Sequence, residues 1–252
     1  MAKSVVNLVC SALVMILISP SESAAEAKDT QIARVALLEA GRVLERGPWR
    51  RLLASEDSDV RIEAVRAIGR IQEQDLASLI EANLGHEDES VRRAAATAFS
   101  QISGMGPSPL LEQLKVEKRM PVSSALLTAL GHLGGIEDAV YLLRVLEGFA
   151  PELRPKAILA VARIARANRD QLDKIKPKWN AVLKPEDPSM QRYAWAYLLV
   201  VWRDKLTPDA HVALTRCLND YDVEVRLVCV TGLGHIPERV TERHAATKDP
   251  DW

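Results

Sequence analysis

Histidine is the residue type in this sequence best suited to metal binding or acid–base catalysis, and it occurs five times. No two histidines have the four-residue helical spacing, with a carboxylate nearby, that a metal site needs. The sequence also lacks the GxSxG, phosphate-loop and paired CxxC motifs of several large enzyme classes. It therefore predicts no catalytic site, no metal and no cofactor. The histidines are His86, His132, His211, His235 and His244.

Cys217 and Cys229 lie close enough in the sequence to form a disulfide between neighbouring helices in an oxidising compartment. Cys229 also falls on an apolar helical face, where a free cysteine packs as a small hydrophobic side chain. Both interpretations remain open at this stage, and the sequence favours two unpaired cysteines.

Four arginines recur at long intervals and could form a ladder for binding anions. Each follows an acidic residue by two or three positions, so pairs that cross-link helical turns and cap helices are the simpler interpretation. The sequence therefore predicts a structural role for them. The arginines are Arg61, Arg92, Arg154 and Arg226, and the acidic residues are Asp59, Glu89, Glu152 and Glu224.

These arginines belong to an internal repeat, which has an apolar residue, here called the anchor, directly before each arginine position. The residues four, eight and eleven positions after each anchor are all apolar, and these offsets return to one face of an α-helix. Six helices with one buried face are therefore predicted. The anchors are Val60, Val91, Val122, Leu153, Met190 and Val225, spaced by 31, 31, 31, 37 and 35 residues.

Five shorter apolar segments separate these six helices, and each is predicted to form the first helix of a helical hairpin. They lie at residues 76–84, 110–114, 140–146, 172–182 and 212–218. Glycine and proline fall between the segments, as expected of turns. The small residues Ala67, Ala98, Ala129 and Ala160, seven positions after their anchors, would let neighbouring hairpins approach closely. With 4% aromatic residues and no alternating strand pattern, the fold class is predicted to be all-α.

The segment from Asp59-Val60-Arg61 to Ala67-Ile68-Gly69 resembles HEAT-like repeats, in particular the short class first noted in phycobilisome lyase subunits. The resemblance covers residues 47–237, and hairpins one, two and six match best. It implies a right-handed α-solenoid of about six HEAT-like hairpins, whose second helices line a concave face.

Two enzyme families with HEAT-like folds do not fit this sequence. Deoxyhypusine hydroxylases hold two iron ions with repeated His-Glu pairs, whereas this chain has the single pair His86-Glu87. Alkylpurine DNA glycosylases need a strongly basic groove, whereas the formal net charge here is -1. We expect neither metal catalysis nor nucleic-acid binding.

The N-terminus has the pattern of a secretory signal peptide. Lys3 precedes an apolar run at residues 5–18, and small residues stand at Ala25 and Ala27. Fourteen helical residues span about 21 Å, less than the roughly 30 Å core of a membrane, so no stable membrane anchor is expected. The predicted organisation is a signal peptide at residues 1–27, a capping helix at 28–46, the solenoid at 47–237 and a polar tail at 238–252. We expect a periplasmic or secreted protein.

The expected contact surface consists of the second-helix positions that lie outside the buried apolar face. These positions are rich in basic residues. Tyr193 and Trp195 join this surface, because three aromatic residues within five positions cannot all face one core. The competing interpretations are an ordinary solvated face for the basic residues and a space-filling role around the long fifth hairpin for the aromatic ones. The remaining expected contact residues are Arg66, Arg70, Arg93, Gln101, His132, Arg163, Arg192 and His235.

Stacked hairpins offer a large surface without catalytic groups, so we expect a non-catalytic scaffold that binds a protein or peptide partner on the concave face. One alternative is an accessory subunit or a chaperone-like lyase of an enzyme system, such as a chromophore lyase or the HEAT arm of a prolyl isomerase system. A self-associating structural module is a third possibility.

Overall fold

The computed structural model describes residues 28–203 and 206–233, and the predicted signal peptide, the polar tail and His235 lie outside them. Within the described residues the chain is helical, with twelve α-helices, three 3-10 helices and no strand. It divides into two compact units between Leu133 and Gly134. The prediction of an all-α, solenoid-type fold is confirmed.

The first unit contains a leading helix and three helical hairpins. Within it, α3 packs on α5 and α5 packs on α7, while each hairpin's first helix packs on its own second helix. The helices are α1 (Lys28–Ala40), α2 (Arg46–Leu53), α3 (Ser58–Ile71), α4 (Gln74–Glu81), α5 (Glu89–Phe99), α6 (Ser108–Val116) and α7 (Met120–Leu133).

The predicted apolar face forms the core of this unit. In α3, Val60, Ala64, Ile68 and Ile71 are buried, and the equivalent residues of α5 are buried as well. Each of these two helices begins at an aspartate whose carboxylate accepts hydrogen bonds from free backbone N–H groups of the first turn, Asp57 in α3 and Asp88 in α5. The repeat therefore sets both the start of each helix and the face that it buries.

The leading helix α1 packs on α3 and covers this end of the unit. It ends at Ala40, and Arg42 then takes a positive φ of 45° in the turn. Val35 and Leu38 are buried, whereas Leu44 is 41% exposed. Leu44 lies beyond the end of the helix, so its side chain is not on the buried helical face.

The second unit contains α8 (Ile136–Arg144), α9 (Arg154–Ala167), α10 (Ser189–Val201), α11 (Pro208–Leu218) and α12 (Val223–Leu233). Here α9 packs on α10 and α10 packs on α12. The 3-10 helices are Leu146–Gly148, Arg169–Lys174 and Trp179–Ala181.

The fifth hairpin has no α-helix as its first element, contrary to the prediction for residues 172–182. Pro177 and Pro185 lie within and just after this segment, and proline lacks the N–H group that a continuous helix needs. The apolar side chains predicted for the core, including Ile175 and Trp179, are nevertheless buried. The segment thus fills the core with short 3-10 turns instead of a helix.

Met190, the predicted anchor of the fifth hairpin, is 60% exposed, although the residues four, eight and eleven positions after it are buried. The half-buried, polar Gln191 takes the anchor position instead. In the first unit, a Cβ added to Gly69, nine positions after its anchor, would contact Ala98, seven positions after the next anchor. In the second unit, Gly232 lies seven positions after Val225, and a Cβ there would collide with Val200. Val200 lies nine positions after residue 191. Counted from residue 191, the contact between neighbouring second helices therefore joins positions nine and seven in the second unit, as it does in the first.

A disulfide joins Cys217 of α11 to Cys229 of α12, with 6.2 Å between their Cα atoms. The expectation of two unpaired cysteines is therefore wrong. Both residues are fully buried, so burial and disulfide formation, treated as alternatives from the sequence, occur together here.

Candidate functional site

The second helices of the first two hairpins, α3 and α5, form a polar cleft with a volume of about 340 Å³. Four of the expected contact residues line it together. We call it the basic cleft, and its lining residues are Arg66, Arg70, Ser90, Arg93, Ala94, Thr97, Ala98 and Gln101.

Two of the three arginines in the basic cleft are already paired with glutamates. Arg70 donates from Nε and Nη2 to the two carboxylate oxygens of Glu39, at 2.6 and 2.8 Å. Arg66 donates to Glu63 at 2.8 Å, and Glu63 also lies 3.7 Å from Arg70. The hydrogen bonds from Arg70 lower the pKa of Glu39 below its ordinary value. The charges of the two arginines are therefore balanced by the carboxylates of Glu39 and Glu63.

Arg93 is different, because its guanidinium has no hydrogen-bond or ion-pair partner among the residues that the structure describes. It lies on α5 and is exposed. Within the described chain and apart from the backbone bonds of the helix, the one hydrogen bond at this residue is accepted by its backbone carbonyl from the Thr97 hydroxyl, at 3.0 Å. Arg93 therefore leaves one unbalanced positive charge in the basic cleft.

The structure does not bring the other exposed candidates into this cleft. His132 is exposed on α7 and Arg163 is exposed on α9, while Tyr193 is half-buried on α10. None of them lines the basic cleft.

Arg192 is fully buried, which contradicts its expected place on an exposed contact face. Its guanidinium donates to both carboxylate oxygens of Asp220, at 2.8 and 3.2 Å, and to the backbone carbonyl of Asp187. The ring of Tyr221 lies 4.1 Å from the guanidinium carbon. Arg192 is therefore a structural residue that fixes two loops of the second unit.

Trp195 is only 6% exposed, so its expected role as a surface contact is also wrong. With the anchor at Gln191, Trp195 falls on the core position four residues later. Its ring packs edge-on against Trp179 at 6.3 Å between centroids, and Trp179 packs against Trp202 at 5.6 Å. The three tryptophans fill the space beside the 3-10 segments.

The predicted arginine ladder makes its contacts within the chain, as expected, but its partners differ from those predicted. Arg61 contacts His86, Arg92 binds Glu117 at 2.7 and 3.1 Å, Arg154 lies 3.1 Å from Glu147, and Arg226 donates to the backbone carbonyl of Asp220. Arg192, which the prediction left out of the ladder, binds the Asp220 carboxylate. The partners of Arg61, Arg92 and Arg192 each stand five residues before the next anchor, in the loop that leads into the next second helix. We call these contacts the arginine–loop pairs.

Sequence reasoning missed the arginine–loop pairs because it compared each arginine only with its neighbours in the chain. The sequence signal that could have found them is a polar or charged residue five positions before each of three anchors. These residues are His86, Glu117 and Asp220. Asp59 instead binds Lys28, and Glu89 lies 3.3 Å from Arg119. The neighbouring acids are thus not the partners that hold the ladder.

The His86 ring is occupied on both sides. Its Nδ1 accepts from the backbone N–H of Asp88 at 2.9 Å, and its Nε2 faces the Arg61 guanidinium. Among the described residues, no group of three or more histidine, cysteine or acidic side chains has the arrangement of a metal site. In the same part of the chain, no helix combines the length and apolar character needed to cross a membrane.

Residues 48–131 match the family model of HEAT repeats. The matched region runs from α2 into α7 and includes every residue that lines the basic cleft. No curated protein matches the chain.

Proposed function

Because this chain is a HEAT-like repeat protein, we propose that it is a non-catalytic binding module whose basic cleft contacts a protein or peptide partner. HEAT repeats generally mediate protein–protein interaction. The observation that carries the proposal is the exposed Arg93, which has no side-chain partner in the described chain and lies in a cleft between two packed helices.

The cleft has the properties of a contact site that is formed before binding. Apart from Gln101, its side chains project from α3 and α5, whose packed faces are buried, so little backbone ordering would be needed on binding. Arginine is over-represented among residues that dominate interface energies. The concave face implied by the HEAT resemblance is where such helices would meet a partner.

A chromophore lyase-like role receives less support from the lining of the cleft. A pigment site would be mostly apolar, with a few polar groups to fix orientation. Here arginine, serine, threonine and glutamine side chains line the cleft, and alanine is its only apolar residue. A role as an accessory subunit of an enzyme system remains compatible, because such a subunit would also act by binding a protein.

We further propose that the protein works outside the cytosol. The buried disulfide between Cys217 and Cys229 supports this, since disulfides persist in oxidising compartments. The predicted signal peptide at residues 1–27 points to the same location. N-terminal sequencing of the protein recovered from the periplasm or medium would test it, and an intact N-terminus on a cytosolic protein would contradict it.

The proposed function can be tested by affinity capture with the full chain, expressed with its own N-terminus, from an extract of its source cells. We would compare the wild type with the Arg93→Gln variant and with Arg50→Gln. Arg50 is an exposed arginine on α2 without a side-chain partner in the described chain, so it is a control of equal charge change. A protein that is retained by wild type and Arg50→Gln but lost with Arg93→Gln supports the proposal. Equal retention by all three contradicts it.

A further inference from the structure

The charges around the basic cleft restrict the kind of partner that it can bind. Arg66 and Arg70 are balanced by Glu63 and Glu39, as described above, so the excess charge is the single guanidinium of Arg93. A ligand must therefore be attracted to one positive charge beside two fixed negative ones.

A dianionic phosphate suits this arrangement poorly. A phosphate monoester carries a charge between about -1.5 and -2 at pH 7 and usually needs several cations. Glu39 and Glu63 would repel it, and a nucleic acid would additionally need a row of free cations along its backbone. A carboxylate carries one negative charge, and its two oxygens match the planar fork of a single arginine.

Uncharged hydrogen-bonding groups surround Arg93 in the cleft. The hydroxyl of Ser90 and the amide of Gln101 have no side-chain partner among the described residues. The Thr97 hydroxyl already donates to the Arg93 carbonyl, which leaves its oxygen free to accept. These groups can bind a peptide backbone on either side of a bound carboxylate.

We propose that the basic cleft recognises a carboxylate presented by a peptide segment, with Arg93 as the residue that binds it. This rests on the proposed function and specifies its partner. The carboxylate can come from an internal aspartate or glutamate or from the end of a chain, and both sources have the same chemistry.

The arrangement also makes a prediction that loss of folding cannot mimic. Glu63 competes with an incoming carboxylate for Arg66 and also lies near Arg70. The Glu63→Gln variant therefore adds one unbalanced charge to the cleft, and we expect it to bind acidic peptides several times more tightly than the wild type. Arg93→Gln should bind them about tenfold or more weakly.

The test is selection of peptides on the immobilised full chain from a degenerate nine-residue pool in which phosphoserine is one of the allowed residues. One half of the pool has amidated C-termini and the other half has free ones. Wild type, Arg93→Gln, Glu63→Gln and the Arg50→Gln control are compared, and the bound peptides are sequenced. Affinities of the best peptide and of its Glu→Gln counterpart are then measured by titration.

We expect aspartate and glutamate to be enriched by the wild type and by Arg50→Gln, more strongly by Glu63→Gln, and not by Arg93→Gln. Enrichment confined to the free C-termini would assign the carboxylate to a chain end. Enrichment of phosphoserine above glutamate, or of uncharged peptides whose binding does not depend on Arg93, would overturn the carboxylate proposal and leave peptide binding intact. No enrichment on any variant would count against both proposals.

Discussion

The guanidinium of Arg192 and the carboxylate of Asp220 form a two-point ion pair in which both side chains are buried. The carboxylate also accepts from the backbone N–H of Asp222, and the carbonyl of Asp220 accepts from Arg226. One aspartate thus joins the fifth hairpin to the loop that begins the last second helix.

Removal of one partner of this pair should destabilise the protein strongly. Asp220→Ala leaves a buried guanidinium without its counter-ion, and such changes cost about 3 to 5 kcal/mol. We expect that loss in the free energy of unfolding, measured by urea denaturation at pH 7. The double variant Arg192→Met, Asp220→Leu should lose less free energy of unfolding than the sum of the losses of Arg192→Met and Asp220→Leu alone. Additive losses would contradict the pairing. The control Arg163→Ala, at an exposed position, should change the free energy of unfolding little.

Glu117 makes the stability of the first unit depend on pH. Burial alone would raise the pKa of its carboxyl, but hydrogen bonds from Arg92, the backbone N–H of Arg119 and the Gln113 amide lower it to about 2. A lowered pKa contributes stability above the unfolded-state value, near 4.5, and this contribution is lost as the pH falls towards 2. The side chain is 3% exposed, so solvent screens the pair only weakly.

We therefore expect Glu117→Gln to lower the free energy of unfolding by about 2 to 3 kcal/mol at pH 7. The difference from the wild type should shrink between pH 4.5 and pH 2, as the wild-type carboxylate gains a proton. Urea denaturation at pH 7 and at pH 2.5 measures both values. Glu112→Gln is the control and should be nearly neutral, because this exposed carboxylate forms a surface pair with Lys115. A pH-independent loss with Glu117→Gln would show that its charge is not the cause.

The disulfide should stabilise the last hairpin measurably. It closes a loop between residues 12 positions apart, for which the loss of chain entropy in the unfolded state corresponds to about 3 kcal/mol. We expect reduction to lower the Tm of the wild type. The Cys217→Ala, Cys229→Ala double variant should have a similarly low Tm that does not respond to reductant. A wild-type Tm that is equal with and without reductant would contradict this expectation.

The helices and their buried faces were predictable because they depend on local order in the sequence. Val60, Ala64 and Ile68 follow the period of a helix, and only neighbouring residues are needed to recognise it. The fifth hairpin was less predictable, since the residues four, eight and eleven positions later are apolar whether they are counted from Met190 or from Gln191. The choice between them depends on contacts with Asp220 and Gly232, which lie far away in the chain.

The candidate site was predictable only in part for a related reason. Arg93 and Arg192 are both arginines near the start of a second helix, and the local sequence predicts the same exposed position for both. Arg93 is exposed and has no side-chain partner within the part of the chain that the structure describes, whereas Arg192 is buried and pairs with a carboxylate 28 residues later. Local patterns identify the positions that can face a partner, whereas tertiary pairing decides which side chains are free to do so.

The close approach of α3 and α5 depends on the missing side chain at Gly69. A Cβ there would lie 2.7 Å from the Ala98 Cβ and 2.9 Å from its Cα, and a backbone atom cannot move without shifting the helix. Alanine favours a helix over glycine by about 1 kcal/mol, but overpacking costs about 1 to 3 kcal/mol. We expect Gly69→Ala to be destabilising despite its better helix propensity, with a lower Tm in thermal denaturation. Gly47→Ala in α2 is the matched control, because a Cβ there meets no atom within 4 Å, and it should be neutral or stabilising. If both variants raised the Tm, helix propensity and not the contact between α3 and α5 would determine the outcome at residue 69.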